Sequence, residues 1–94
     1  MQNAIQHHLE RLLQARASPK TICPSEVARA LSTSELQSLD LQEWRDAMPD
    51  IRVRVWAMRE QGIVEILQKG EILDEDVSLA EVRGPIRIRL KKST

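Results

Sequence analysis

Basic side chains are the residues of this sequence whose type and spacing could do chemistry. Arg45, Arg52 and Arg59, called the arginine row below, recur every seven residues, a spacing that places them on one side of a helix. Guanidinium and ammonium groups bind phosphate through charge and hydrogen bonds. Further phosphate-binding candidates follow later in the chain: Lys69, Arg83, Arg87, Arg89, Lys91 and Lys92. The pattern predicts a nucleic-acid-binding surface made of a helix and a basic strand.

Acidic residues weigh against this prediction. Lys plus Arg and Asp plus Glu number 14 each, so the net charge is zero. Residues 71–81 hold five acidic residues and no basic one. The outward face of the helix that carries the arginine row is acidic too, at Asp46, Asp50 and Glu60. We also expect Glu65 to lie across from the basic strand and to neutralise part of it. Arg87 and Arg89 are therefore equally well interpreted as a solvated, partly paired sheet face.

Trp56 is the residue best suited to a protein interface. It lies off the main apolar stripe of the predicted helix, one turn from Arg52 and Arg59, and a partly exposed Trp beside Arg is typical of interface anchors. We expect Arg52 to stack on the ring and Val53, on the outermost face, to extend the patch. The alternative is that Trp56 covers the base of the helix against the N-terminal helix or the strand at Thr21.

Residues that could support catalysis or metal binding form no recognisable motif. Cys23, the single cysteine, would cap a helix that begins at Pro24, where a helix N-terminus could make the thiol reactive; the alternative is a buried structural thiol. His7 and His8 are adjacent and point about 100° apart, which is poor geometry for chelation. Paired carboxylates and a Gly-rich phosphate loop are both missing from the sequence. We therefore expect no enzyme activity, no metal and no cofactor.

The helix that positions the arginine row is predicted between residues 40 and 62. Asp40 is a suitable N-cap, Glu43 can complete a capping box, and Gly62 supplies a left-handed stop. Pro49 predicts a kink, or two short helices meeting at residues 48 and 49. Because the sequence contains no Phe or Tyr, Trp44 is expected to be the large core filler. The core stripe recurs at steps of four and three: Trp44, Met48, Ile51, Val55 and Met58.

Two periodicities predict the remaining elements. A first amphipathic helix, from about Asn3 to Ala17, is indicated by apolar residues at helical spacing: Ile5, Leu9, Leu12 and Leu13. A second helix starts at Pro24, and a polar linker with one helical turn at Ser34 to Gln37 follows it. Beyond the predicted stop the period changes to two, which predicts strands over residues 63–68 and 85–91, paired antiparallel around a long loop. The second strand has its apolar residues on one face: Ile86, Ile88 and Leu90.

This order of elements is that of a winged helix-turn-helix. We predict an α+β fold in which three helices precede a C-terminal two- or three-stranded antiparallel sheet, forming a single domain over residues 1–94. The single cysteine cannot form an internal disulfide, the N-terminus lacks a signal-peptide pattern, and no apolar run reaches the roughly 18 residues of a membrane span. A soluble cytoplasmic chain without membrane contact is expected.

Four segments, taken in order, resemble a known family: TICPSEVARAL, WRDAMPDIR, IVEILQKGEILD and RGPIRIRL. Together they are similar to the small bacterial family of unknown function called DUF3253, over most of residues 20–90. The resemblance implies a short winged-helix-like domain and brings no established activity. It places the family's motif positions on the following residues: Cys23, Pro24, Ser25, Glu26, Arg29, Trp44, Arg45, Met48, Pro49, Arg52, Gln68, Lys69, Gly70, Arg83, Gly84, Pro85 and Arg87.

The sequence therefore predicts a binding module without catalysis of its own. Nucleic acid is the first hypothesis, because winged helices are most often put to that use. Its candidate residues are Arg45, Arg52, Arg59, Lys69, Arg83, Arg87 and Arg89. The alternative hypothesis is a protein partner or self-association as a homodimer, through Trp56 and Val53.

Overall fold

The computed structural model describes residues 3–16 and 20–91 of the chain. The helices are α1 (Ala4–Ala15), α2 (Pro24–Ala30), α3 (Thr33–Ser38), a 3-10 helix (Trp44–Ala47) and α4 (Met48–Glu60). The strands β1 (Val64–Gln68), β2 (Glu71–Ile72) and β3 (Arg87–Leu90) follow, with a 3-10 turn (Leu79–Glu81) before β3. Helices first and an antiparallel sheet afterwards make the α+β, winged-helix-like fold that the sequence predicts. The addition is α3, which is longer than the single turn expected there.

The sheet has the order β2-β1-β3, and both pairings are antiparallel. Ile66 faces Ile88 across β1 and β3, and Ile22 pairs with Ile88 on the other edge of β3 through two backbone hydrogen bonds of 2.8 Å. The extended residues before α2 therefore join the sheet beside β3. This arrangement ties the start of α2 to the C-terminal strand.

The starts of α1 and α2 follow capping rules. The side chain of Asn3 accepts a hydrogen bond of 2.7 Å from the backbone N–H of Ile5, so α1 begins where predicted; it ends at Ala15, while the predicted end at Ala17 lies outside the described residues. The backbone N–H of Cys23 donates to the Glu26 carboxylate at 2.7 Å. Cys23 is thus the N-cap of α2, as predicted.

The prediction that Asp40 caps a helix N-terminus is wrong. Asp40 has a φ of 61° and closes α3 instead: its N–H bonds to the carbonyl of Gln37 at 3.0 Å, and the N–H of Leu41 bonds to that of Leu36 at 2.8 Å. These are the two hydrogen bonds of a Schellman motif, in which a left-handed residue ends a helix. The next helical segment begins at Trp44.

The predicted break near Pro49 is confirmed. The 3-10 helix ends at Ala47 and α4 begins at Met48, so Pro49 occupies the first turn of α4, where its missing N–H leaves no helical bond unmade. At the other end Gly62 has a φ of 78° and stops the helix. In the described part of the chain, no helix combines the length and apolar character needed to cross a bilayer.

The core lies between the inner faces of α1, α2, α4 and the sheet. The predicted α4 stripe is buried at Ile51, Val55 and Met58, and half-buried at Trp44 and Met48. The β3 alternation is confirmed as well, because its apolar face points inward: Ile86 and Ile88 are buried and Leu90 is half-buried. The sheet therefore presents its polar face, and the turns at its ends, to solvent.

Candidate functional site

A cleft of about 490 Å³ opens at the end of the sheet nearest the start of α2. Three separate segments line it: Cys23, then Gln68, Lys69 and Gly70, then Arg83, Gly84, Pro85, Ile86 and Arg87. The lining carries three cationic side chains and no carboxylate. These cationic residues would attract an anion that approached the cleft. We call this feature the basic cleft.

Lys69 reaches the basic cleft from the tip of a hairpin. Gln68 pairs with Glu71, which leaves Lys69 and Gly70 as a two-residue loop with φ values of 55° and 81°. Positive φ at both positions is the signature of a type I′ turn, which favours Asn or Gly. A lysine in the left-handed region costs about 1 kcal/mol. Such strain is a common mark of a residue retained for function.

Gln68 holds the opposite wall of the basic cleft. Its amide Nε2 donates to the backbone carbonyl of Arg83, and also to that of Pro85 at 3.4 Å. Gly84 between them has a φ of 84°, which a side chain would rarely tolerate. The side chains of Lys69 and Arg83 are exposed, and neither has a hydrogen-bond or ion-pair partner among residues 3–16 and 20–91. Both cations are available to a ligand.

Arg87 lines the basic cleft, and three of its N–H groups already have hydrogen-bond partners. Its guanidinium donates to the Thr21 hydroxyl at 2.8 Å, to the Thr21 carbonyl at 3.2 Å and to the Cys23 Sγ at 2.7 Å. A guanidinium has five N–H groups, so two remain for a ligand. Cys23 is half-buried and accepts this hydrogen bond, a structural role that leaves the hypothesis of a reactive thiol open.

The arginine row does not extend the basic cleft. None of its three members is among the residues that line the cleft. Arg59 donates to three backbone carbonyls, those of Asp74, Glu75 and Val77, at distances of 3.3, 3.3 and 2.6 Å. Arg45 lies over the ring of Trp44. Arg52 makes no hydrogen bond or ion pair within the described residues. The row therefore divides into a structural cation at Arg59, an exposed one at Arg45 and a half-buried one at Arg52.

Arg89 also has a partner. Its guanidinium Nε donates to the Glu65 carboxylate at 2.9 Å, and the two residues are directly opposite in the register of β1 and β3. The predicted cross-strand pair is confirmed. Both side chains are about a fifth exposed, so much of the charge on this sheet face is neutralised locally.

Trp56 is not a partly exposed interface anchor; the ring is covered, as in the alternative interpretation. The residue is 8% exposed, and its indole N–H donates to the carbonyl of Val77 at 3.2 Å. The loop that carries Val77 contributes this cover, instead of the N-terminal helix or the strand at Thr21. The arginine on the ring is Arg59, whose guanidinium lies 5.2 Å from the ring centroid, and not Arg52. Val53 is 55% exposed, as expected for the outer face.

A second cationic surface was missed by the sequence reasoning. The guanidinium groups of Arg29 and Arg45 lie 4.7 and 4.6 Å from the ring centroid of Trp44. The ring is half-buried and both arginines are exposed. Adjacency in sequence could have suggested the contact of Arg45 with Trp44, but Arg29 comes from α2 through tertiary packing. We call this group the Arg29–Trp44–Arg45 platform.

The two histidines differ in their contacts. His8 bonds through Nε2 to the Glu35 carboxylate at 3.0 Å, and its Nδ1 lies 3.0 Å from a guanidinium nitrogen of Arg11, while His7 is exposed. Within the described ranges, no group of three or more His, Cys, Asp or Glu side chains is arranged to hold a metal ion.

Comparison with known proteins gives the family. The model of a protein family of unknown function, DUF3253, matches residues 2–91. A comparison with curated proteins gives no match. Because the matched segment spans nearly the whole sequence, including every residue of the basic cleft and of the Arg29–Trp44–Arg45 platform, the chain belongs to the DUF3253 family.

Proposed function

We propose that this domain is a non-catalytic binding module for nucleic acid, which it holds by phosphate groups in the basic cleft. The observation that carries the proposal is the lining itself: Lys69, Arg83 and Arg87 converge from separate segments, and no carboxylate accompanies them. Clustered cations from a wing and its strand suit the phosphate contacts that winged helices make. A cytoplasmic location goes with this proposal, since a single cysteine leaves no internal disulfide.

Each cation of the basic cleft would contribute differently. Lys69 offers a compact charge on a flexible stem, whereas Arg83 offers a planar fork that can bind two phosphate oxygens at once. Arg87 has two N–H groups left and is already held in place by Thr21 and Cys23, so little side-chain entropy remains to be lost on binding. Contacts of this kind position the nucleic acid and carry no sequence information.

The solvent face of α4 supports sequence-independent binding. Its exposed residues include Val53 and Ala57, which have no polar group to read a base edge, and Glu60, whose charge would repel phosphate. Two of its arginines serve the fold instead, since Arg54 pairs with Asp50 at 3.1 Å and Arg59 binds loop carbonyls. We therefore expect similar affinity for different sequences of equal length.

Titration of a labelled oligonucleotide by fluorescence anisotropy, at about 50 mM salt, tests the proposal. If three phosphates are contacted, log K should fall with log salt with a slope of about −2 to −3. Lys69→Gly and Arg83→Gln should each weaken binding to all sequences and reduce the slope by about one. Glycine takes the left-handed conformation without strain, so Lys69→Gly keeps the turn while it removes the charge.

Lys91→Gln is the matched control for these variants. Lys91 is exposed and lies beyond the opposite end of β3, so the variant loses the same charge outside the basic cleft. Its affinity should stay within about twofold of the wild type, since one distant exposed charge is largely screened. A flat titration with both DNA and RNA would remove the proposal, as would equal losses in the control and the cleft variants.

A protein partner is the second candidate, and Val53 favours it. A valine that is 55% exposed on the outer face of α4 gives an apolar centre to that surface. The burial of Trp56 removes the aromatic anchor expected beside it. Gel filtration or sedimentation of Val53→Asp against the wild type tests this candidate: a shift from dimer to monomer would support self-association, and identical profiles would count against it.

A further inference from the structure

The helix α2 joins the two outward cationic surfaces of the domain. Its N-cap, Cys23, lines the basic cleft, and Arg29, near its other end, lies on the ring of Trp44. Six residues of helix span about 9 Å at 1.5 Å per residue. The two surfaces therefore lie at opposite ends of one short helix, with phosphate-binding candidates at one end and a cationic aromatic group at the other.

The platform has the chemistry of a base-stacking site. The central guanidinium carbons of Arg29 and Arg45 both lie within 5 Å of the centroid of the Trp44 ring, and both arginines are exposed. Nucleic acid bases stack on guanidinium planes and on aromatic rings when they are not paired in a helix. Arg45 shares its charge with Glu43 at 3.4 Å, whereas Arg29 makes no ion pair within the described residues.

A duplex fits this surface poorly. Binding by a helix in the major groove would bring phosphates toward the exposed carboxylates of Asp46 and Glu60 and set Val53 against the groove. Like charges at such a contact are repulsive. Bases in a duplex are also stacked on one another and present only their edges, so a stacking platform has no free base face to bind.

We propose that the ligand is a single-stranded nucleic acid that lies across α2, with phosphates in the basic cleft and a base stacked on the Arg29–Trp44–Arg45 platform. The separation of about 9 Å corresponds to about three nucleotides of a stacked strand at about 3.4 Å each, or fewer when the strand is extended. This inference rests on the proposed function and specifies its ligand. Single-stranded DNA and RNA share the required chemistry, and the test separates them.

The test compares three labelled probes of roughly 12 nucleotides, a length that covers known single-strand site sizes: single-stranded DNA, single-stranded RNA and the DNA duplex. We expect at least one single strand to bind about tenfold or more tightly than the duplex. Arg29→Gln should weaken binding of that strand about tenfold, the effect of losing one stacked base. Because Arg29 is exposed, the variant should fold as the wild type does. Arg52→Gln, a half-buried arginine on α4 that belongs to neither the basic cleft nor the platform, is the control.

A strand with abasic sites gives a readout that needs no protein variant. Abasic positions keep the phosphates and remove the stacking, so they should weaken wild-type binding about tenfold and have little further effect on Arg29→Gln. Duplex binding as tight as that of either single strand, or unchanged affinity on abasic substitution, would overturn the inference while leaving phosphate binding in the basic cleft intact. Failure of all three probes to bind would remove the proposed function together with it.

Discussion

Two tryptophans carry arginines in this domain, and their surroundings differ. Trp56 is 8% exposed and donates to the carbonyl of Val77, and the guanidinium over it, that of Arg59, gives its N–H groups to backbone carbonyls of the same loop. Trp44 is half-buried, and the arginines over it are exposed. An Arg–Trp contact therefore has two uses here. The two sites differ in what the remaining N–H groups of the arginine bind: at Trp56 they bind backbone carbonyls of the fold, and at Trp44 the arginines are exposed to solvent.

The largest expected difference between the two tryptophans is in their contribution to the free energy of unfolding. Trp56→Ala removes a buried aromatic ring together with its hydrogen bond, so we expect it to lower the free energy of unfolding by about 3–5 kcal/mol. Trp44→Ala should cost clearly less, about 1–2 kcal/mol, because the ring is half-buried and leaves a smaller cavity. Urea denaturation followed by circular dichroism measures both. Equal losses for the two variants would contradict the division into an internal and an outward tryptophan.

The arginines should differ in the same direction and less strongly. Arg59→Gln removes three hydrogen bonds to the loop. The carbonyls of Asp74 and Val77 keep a second donor, the N–H of Val77 and the indole of Trp56, and that of Glu75 loses its donor, so we expect a loss of about 1–2 kcal/mol. Arg29→Gln should change stability by less than about 0.5 kcal/mol, as is usual for exposed side chains. Limited proteolysis gives a second readout, because Arg59→Gln should speed cleavage within residues 73–79 and Arg29→Gln should not. Faster cleavage in both variants would show that the loop does not depend on Arg59.

The smallest effect is expected at Glu35, a half-buried carboxylate hydrogen-bonded to His8, which sets a baseline for both tryptophan sites. The backbone N–H of Ser32, and then a hydrogen bond from His8, hold the pKa of Glu35 below its ordinary value of 4.5. Because the folded pKa is the lower one, the carboxylate stabilises the fold fully above about pH 4.5, and this contribution is lost as the pH falls through the folded pKa.

Glu35→Gln should therefore lower the free energy of unfolding slightly at neutral pH and approach the wild type in acid. Urea denaturation of both proteins across that range measures the difference. Glu60→Gln, an exposed carboxylate on α4, serves as the control. A Glu35→Gln deficit that stays constant down to acid pH would show that the ionised carboxylate is not its cause.

Much of the fold could be predicted because local rules and tertiary packing agree. The alternation of residues 86–90 correctly predicted that Ile86 and Ile88 point inward. The expected position of Glu65 across from the basic strand correctly predicted its pair with Arg89. The three basic members of the cleft were all named as candidates. Their convergence depends on the strand register and on Gln68, which holds the turn at Arg83.

The errors have local causes. Asp40 satisfies the pattern of an N-cap, but the same residue type also tolerates the left-handed conformation that ends α3. Trp44 is half-buried and not the large core filler, because the predicted stripe assumes about 100° per residue whereas the 3-10 helix turns about 120° per residue. Its four residues shift the phase by about 80° in total. Burial of Trp56 depends on the loop at Val77, which no spacing within α4 encodes.

The pairing of Ile22 with Ile88 links the two ends of the domain in time as well as in space. Ile22 and β1 both pair with β3. This strand is synthesised after all the others described here. Contacts between residues so distant in sequence form late and slowly. Nascent chains should therefore reach residue 90 before Arg87 can join Cys23 and Lys69, so that the basic cleft assembles only near the end of synthesis of the described residues.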